Sequence, residues 1–326
     1  MFNLIKMDTH RLVHSTSTWI TLLFTVVLAV FSVVMTNVDI QMAKEDPSSL
    51  AVEPTEEIQL GIYVDANPEW VTGNIEIGDI ISTEMKSGVL AIIVVVFAAI
   101  FSNAEQKNGY IKNIAGQFPR RGNLIISKFA AIAIQIFWMM IVFSLITVIT
   151  GFALWGSRFY LGSFMPILKF LGTQYLLHLG FAALIMFFSI FTRSTAFSMT
   201  AGILICTGFA IPIYSIINKL IADIKPSWDF NVGNYMLDRN ITQISLAVTS
   251  DIMVRGVVVG IVFSVISVLF AMLIIKKRDI REEFCYGCMG NYRYCGSCHY
   301  NFNTHRLPAT GQNDLPPVGV SKRTPD

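Results

Sequence analysis

The amino-acid sequence predicts an all-α membrane protein with six transmembrane helices. Of its 326 residues, 53% are hydrophobic and only 14% are charged, and the mean hydropathy is +0.58. Soluble domains carry roughly 25% charged residues, so this composition argues against a soluble globule. It also argues against a disordered chain, which needs low hydrophobicity and high charge. The net charge of +2 does not indicate a nucleic-acid partner.

Six apolar stretches are long enough to cross the hydrocarbon core of a bilayer, which is about 30 Å thick and needs roughly 20 helical residues. They cover residues 19–36, 87–102, 129–155, 170–191, 196–217 and 252–275, and Pro212 interrupts the fifth. The first stretch is predicted to be a retained anchor, since it is long for a signal peptide and no small-x-small cleavage site follows it. The lipid bilayer is therefore the first predicted partner.

Lysine and arginine residues near the ends of these stretches predict the orientation. They concentrate in residues 1–18, 103–128 and 276–281, so both termini are predicted to be cytoplasmic. The intervening segment 37–86, which contains 11 of the 22 acidic residues, then forms an extracytoplasmic domain. Residues 226–251 lie either at the outer interface or in a re-entrant element. The expected location is the bacterial plasma membrane.

Polar side chains within the predicted spans are candidates for a transport pathway, because ionisable groups in a membrane are usually functional. Gln174 and His178 are four residues apart and therefore share one helix face. For Gln135 and Thr207 the more common role of such residues is expected, namely a hydrogen bond to a neighbouring helix. The six predicted spans contain no Asp or Glu, which argues against a proton-driven transporter.

The predicted cytoplasmic segment 103–128 has an ordered pattern of residue types. Gly109 bends the chain after the second span, and Ile111, Ile114 and Ala115 recur at helical spacing, which predicts a short amphipathic helix along the membrane surface. Pro119 ends that helix. A basic loop that contacts anionic headgroups is the alternative interpretation.

The pattern of residues 103–128 resembles the intracellular coupling segment of ABC-2 type transporter permeases. The matching elements are Glu105, Gly109, Ile111-Lys112-Asn113, Pro119-Arg120 and Ser127-Lys128. The first twenty residues resemble the family's amphipathic cytoplasmic start, and the run IIKKRDI resembles its closing basic run. The resemblance covers about residues 1–283. His14-Ser15-Thr16-Ser17-Thr18 departs from the family pattern, which often has a basic residue there.

The resemblance implies two domains and no enzymatic activity in this chain, and the change of composition after Glu283 marks a third domain that departs from the family pattern. Residues 1–18 are a cytoplasmic amphipathic helix, residues 19–283 are a six-helix permease domain, and residues 284–326 are a cytoplasmic tail. A second permease subunit and a separate ATP-binding subunit complete the transporter. The chain itself has no G-x-x-x-x-G-K-[ST] phosphate loop. The residues implied in coupling to the ATP-binding partner are Glu105, Lys107, Gly109, Tyr110, Lys112, Asn113, Arg120, Arg121 and Lys128.

The predicted tail contains paired C-x-x-C units, formed by Cys285, Cys288, Cys295 and Cys298. Four thiolates are a common ligand set for structural zinc, and a reducing cytoplasm favours metal binding over disulfides. The tail resembles a shortened zinc ribbon, although the gap of six residues between the pairs is short. Zinc in the tail and a metal-free tail are both open alternatives, and the permease domain is expected to bind no cofactor.

Two functions from different classes follow from these observations. The first is the permease subunit of an ABC-2 type exporter, with an antimicrobial peptide, a lipid or a drug as the candidate substrate. The second is a membrane-anchored sensor, in which the outer domain binds a ligand and the Cys-rich tail responds to a metal or to redox state. A membrane enzyme is not indicated, because no nucleophile, base and metal ligands cluster at one depth.

Overall fold

The computed structural model describes residues 2–45, 67–107, 122–224 and 230–277. These residues form ten α-helices, together with short 3-10 helices and two strands of two residues each. The helices are α1 (Phe2–His14), α2 (Thr16–Glu45), α3 (Ile77–Lys86), α4 (Val89–Lys107), α5 (Gly122–Trp155), α6 (Phe164–Thr192), α7 (Thr195–Cys206), α8 (Ile211–Ile224), α9 (Leu237–Gln243) and α10 (Ser250–Lys277). Strand β1 (Ile75–Glu76) pairs in parallel with β2 (Phe159–Tyr160).

Four of these helices, α2, α5, α6 and α10, are long and apolar enough to cross a membrane. Two further pairs, α3 with α4 and α7 with α8, pass the same test as bent units, which gives six candidate spans in the described residues if each pair counts once. Large apolar side chains on α2, α5 and α10 remain exposed, among them Phe24, Trp138 and Phe270. The chain is therefore a helical membrane protein whose outer surface suits contact with lipid.

A glycine with positive φ lies at the break of each bent pair. Gly88 has φ +82° between α3 and α4, and Gly208 has φ +80° between α7 and α8, a conformation that glycine adopts without a steric penalty. The axes bend by 51° and 64°, respectively. Pro212 lies in the first turn of α8, where a proline is tolerated, so the predicted interruption of the fifth span falls at residues 207–210. The breaks adjoin each other, since a Cβ at Gly88 would lie 3.8 Å from the carbonyl oxygen of Cys206.

Helices occupy both ends of the predicted outer segment 37–86. Helix α2 continues through residues 37–45, and residues 77–86 form the buried helix α3. Because these stretches contain charged residues, a prediction based on apolar length alone did not include them in the helices. The six predicted stretches themselves contain no Asp or Glu, but the bent candidate span that α3 forms with α4 includes Glu84, which is fully buried. Residues 46–66 lie outside the described residues.

Helices α6 and α10 run parallel and pack closely through glycine. A Cβ at Gly260 would lie 2.6 Å from the carbonyl oxygen of Leu176, and a Cβ at Gly180 would lie 2.8 Å from the carbonyl oxygen of Gly260. Gly256 and Gly260 form a G-x-x-x-G pattern on α10, which permits such close approach of helix backbones in membranes. This contact holds α6, and with it the candidate pathway residues, against α10.

Candidate functional site

Helix α1 packs against the beginning of α5 and the end of α4, at what is called here the α1 end of the bundle. Leu4, Asp8 and Leu12 recur every four residues and are buried, so they form the packed face of α1. The hydroxyl of Ser127 in α5 donates a hydrogen bond of 2.5 Å to Asp8 Oδ2. This bond joins the N-terminal helix to the first turns of α5.

Arg11 extends the same contact to α4. One guanidinium nitrogen lies 3.9 Å from Asp8 Oδ1, and the guanidinium carbon lies 4.9 Å from the centroid of the Phe101 ring. Such a cation–π contact is attractive and tolerates partial exposure. Asp8 and Arg11 together therefore connect α1 to both helices that flank the predicted coupling segment 103–128.

Lys128 is the one predicted coupling residue whose side chain is described. It is buried, and its Nζ donates a hydrogen bond of 3.0 Å to the carbonyl oxygen of Ser102. Buried lysines are rare unless paired, so this bond has a structural role. Lys128 thus ties the end of α4 to the start of α5, whereas the sequence predicted a residue that contacts the partner subunit.

The other predicted coupling residues are less fully defined. Glu105 and Lys107 lie in the last turn of α4, and the structure does not describe their side chains. The remaining predicted residues of the segment lie outside the described residues: Gly109, Tyr110, Lys112, Asn113, Arg120 and Arg121. The structure therefore defines where this segment leaves and re-enters the bundle, at Lys107 and Gly122.

The candidate pathway residues Gln174 and His178 lie on one face of α6 and are completely buried. The side-chain amide of Gln174 donates a hydrogen bond of 3.1 Å to the carbonyl oxygen of Ile241 in α9. His178 Nδ1 lies 2.7 Å from the carbonyl oxygen of Gln174, to which it donates. Gln174 Oε1 and His178 Nε2 have no hydrogen-bond partner among the described residues. The structure thus brings the two predicted residues together beside α9.

The other two polar residues predicted within spans have different surroundings. Gln135 in α5 is buried, and its side-chain nitrogen lacks a partner among the described residues. Thr207 donates a hydrogen bond of 3.2 Å to the carbonyl oxygen of Leu204, within its own chain segment. Neither residue contributes to the site at Gln174 and His178 through a hydrogen bond between described residues.

A family model for proteins of unknown function, DUF2705, matches residues 66–281 of the chain. The chain belongs to the DUF2705 family. The region that matches DUF2705 includes helices α3 to α10, and therefore Gln174, His178 and Lys128. Asp8 and helices α1 and α2 precede it. No curated protein matches the chain.

Sequence reasoning missed a buried carboxyl group in the part of the chain that matches the DUF2705 model. Glu84 in α3 accepts a hydrogen bond from the Ser32 hydroxyl and another, of 2.6 Å, from Thr36 Oγ1. Both hydroxyls belong to α2, so Glu84 links α2 to the bent pair of α3 and α4. The sequence shows that Ser32 and Thr36 are four residues apart and share a helix face. It does not show which residue their hydroxyls bind.

Sequence reasoning also missed a contact between Asp238 of α9 and Tyr214 of α8. The Tyr214 hydroxyl donates a hydrogen bond of 3.0 Å to Asp238 Oδ1. Burial raises the pKa of Asp238 above its ordinary value of 3.8, although the Tyr214 hydrogen bond acts in the opposite direction. Helix α9 is thereby held by side chains from both α6 and α8, with Leu237 and Ile241 buried.

The predicted zinc ligands Cys285, Cys288, Cys295 and Cys298 lie outside the described residues. Within the described residues, no group of three or more His, Cys, Asp or Glu side chains is placed to hold a metal ion. Zinc in the tail of this DUF2705 protein stays a prediction from the spacing of the cysteines.

Proposed function

We propose that this DUF2705 protein is the permease subunit of an ABC-2 type transporter in the bacterial plasma membrane. A separate subunit hydrolyses ATP, and a second permease subunit completes the pathway. In this proposal the chain binds no nucleotide, which agrees with the lack of a phosphate-loop motif in its sequence. The α1 end faces the cytoplasm, as the basic residues near the helix ends predict.

The arrangement at the α1 end is the observation that supports this proposal. Lys128 joins the start of α5 to the carbonyl oxygen of Ser102 near the end of α4, so the segment between these helices leaves and returns at neighbouring points. Asp8 and Arg11 attach α1 to the same two helices. A force on the 103–128 segment would therefore reach two candidate spans and α1 directly, which a coupling segment requires.

Co-purification with an ATP-binding protein, sought among the products of neighbouring genes, tests the proposal. We expect the detergent-solubilised wild type to recover that ATPase and the double variant Glu105→Ala with Arg120→Ala to lose it. A matched control removes two charges at the opposite end of the bundle, Lys169→Ala with Asp251→Ala. Both of these side chains are exposed, so their removal leaves the bundle intact and recovery of the ATPase unchanged.

Two outcomes would contradict the proposal in different ways. If no ATPase associates with the wild type under any nucleotide condition, the permease assignment fails, and a sensor with a responsive Cys-rich tail becomes the better hypothesis. If both double variants lose the ATPase equally, the 103–128 segment is not the specific contact. Size-exclusion chromatography of each variant distinguishes lost binding from lost folding.

A further inference from the structure

Gln174 and His178 place polar atoms on one buried face of α6. Both side chains are completely buried, and they lie one helical turn apart on the same face. Ile241 of α9 lies on one side, and α10 packs against α6 nearby through Gly256 and Gly260. The buried residues beside the pair on α6 include the apolar Phe170, Leu177 and Phe181 and the polar Thr173.

Two backbone carbonyl groups determine the orientation of both side chains. A carbonyl oxygen only accepts hydrogen bonds, so the Gln174 atom beside the Ile241 carbonyl is the amide nitrogen. The His178 atom beside the Gln174 carbonyl is, by the same reasoning, a protonated Nδ1. The orientation of the amide and the proton on Nδ1 therefore follow from the chemistry of these two hydrogen bonds.

The remaining polar atoms of the pair are both acceptors. Gln174 Oε1 is a carbonyl oxygen, and Nε2 of a neutral imidazole with Nδ1 protonated carries a lone pair. A charged imidazolium would be a buried cation, and no described carboxylate is hydrogen-bonded to His178. Neither acceptor has a partner among the described residues, and buried polar atoms without a partner are rare in native proteins.

We infer that Gln174 and His178 form a binding site for a hydrogen-bond donor, namely an ammonium or hydroxyl group on a small molecule with an apolar body. This inference rests on the proposed function in treating that molecule as the transported compound. Two buried acceptors without a described partner favour a donor, whereas a carboxylate, which only accepts, gains no hydrogen bond there and loses its hydration. The surrounding apolar side chains favour an apolar body on the ligand.

Helix α9 covers this site on one side. Its Ile241 carbonyl accepts from Gln174, and a Leu237 methyl carbon lies 3.2 Å from the position of a Cβ at Gly180, two residues beyond His178. Asp238 of α9 is in turn held by Tyr214 of α8. Entry past α9 therefore requires these two hydrogen bonds to open, and a bound donor competes directly with neither of them.

Nitrogen-15 NMR of histidine-labelled protein in lipid nanodiscs tests the inference without any ATP-binding subunit. The His178 signals are identified by their loss in His178→Asn. We expect the wild type to show an unprotonated Nε2 whose shift moves on addition of benzylamine or benzyl alcohol, but not of benzoate. The amine and the alcohol distinguish an ammonium from a hydroxyl preference.

A pair of glutamine variants makes the test specific. Gln174→Leu removes one acceptor and should weaken binding of the effective probe at least tenfold, measured from the same Nε2 shift. Gln135→Leu removes a buried glutamine from α5 instead and should change the affinity less than twofold. This control separates the loss of an acceptor at the site from the general effect of a buried amide.

Three results would overturn the inference. They are a protonated Nε2 in the wild type, an equal response to benzoate, and unchanged probe affinity in Gln174→Leu. Because no measurement involves ATPase recovery, these results leave the proposed permease function standing. Conversely, a failed co-purification together with normal probe binding would contradict the proposed permease function and support the binding site.

Discussion

At the residue scale, buried carboxyl groups in this protein are bound mainly by hydroxyl groups from other helices. Ser127 donates to Asp8, Ser32 and Thr36 donate to Glu84, and Tyr214 donates to Asp238. A hydroxyl satisfies a carboxyl oxygen without the desolvation of a second charge, which often makes a buried ion pair unfavourable. These bonds therefore connect helices that are distant in the sequence.

The Asp8–Ser127 bond should show a measurable coupling energy. Asp8→Ala removes this acceptor, but the Ser127 hydroxyl can still donate to the carbonyl oxygen of Leu124 at 3.2 Å. The expected loss is therefore the net contribution of one hydrogen bond, about 0.5–1.5 kcal/mol. The double variant Asp8→Ala with Ser127→Ala should lose less free energy of unfolding than the sum of the single variants. Titration with a denaturing detergent measures the free energy of unfolding of the wild type, the two single variants and the double variant.

A second cycle with Ser198→Ala provides the control for this measurement. Ser198 is buried, but its hydroxyl donates to the carbonyl oxygen of Ser194 in its own helix region. Its effect should add to that of Asp8→Ala, because distant sites without a shared partner are additive. Additivity in the Asp8–Ser127 cycle as well would show that this bond contributes no coupling.

Asp238 should make stability depend on pH. Burial raises its pKa above 3.8, so the folded protein holds this proton more tightly than the unfolded chain does. The stabilisation is fully present below 3.8 and is lost as the pH rises through the raised pKa. We expect the free energy of unfolding of the wild type to fall relative to that of Asp238→Asn over this interval. Parallel curves for the two proteins would contradict the assignment.

At the element scale, the length of an apolar stretch is enough to predict three of the long helices. The predicted stretches 129–155, 170–191 and 252–275 lie within α5, α6 and α10. Helix α3 was not predictable in this way, because Asp79, Glu84 and Lys86 interrupt its apolar pattern. Its burial depends on Ser32 and Thr36 in another helix, and a local pattern does not contain that information.

The contact between α6 and α10 predicts opposite effects for two glycine substitutions. Gly260→Ala would place a Cβ 2.6 Å from the carbonyl oxygen of Leu176, a backbone atom that cannot rotate away. We expect it to lower the free energy of unfolding by about 1–3 kcal/mol, the usual range for an overpacked core. The midpoint of a detergent-unfolding titration measures this loss.

Gly172→Ala is the matched control for the Gly260 substitution. It also replaces a helical glycine, but nothing lies within 4 Å of the new Cβ. Alanine in a helix interior is favoured over glycine by about 0.5–1 kcal/mol, so this variant should be as stable as the wild type or more so. Equal destabilisation by both variants would mean that the close contact is not the cause.

At the scale of the whole molecule, the sequence predicts the class of protein but not how its polar groups meet. Composition and apolar length predict a helical membrane protein, and the spacing of Gln174 and His178 predicts their shared face. The Asp8–Ser127 pair joins residues 119 positions apart, and the Ile241 carbonyl reaches Gln174 from 67 positions away. Such pairs depend on the packing of whole helices, which a single sequence does not reveal.

The close packing of α6 and α10 also provides a reference for measuring motion elsewhere in the molecule. With backbone atoms in direct contact at Gly180 and Gly260, the two helices have no room to slide past each other. Spin labels on the exposed residues Leu168 and Val258 would therefore report a fixed separation throughout a working cycle. Distances from this pair to α8 or α9 would then show which part of the bundle moves.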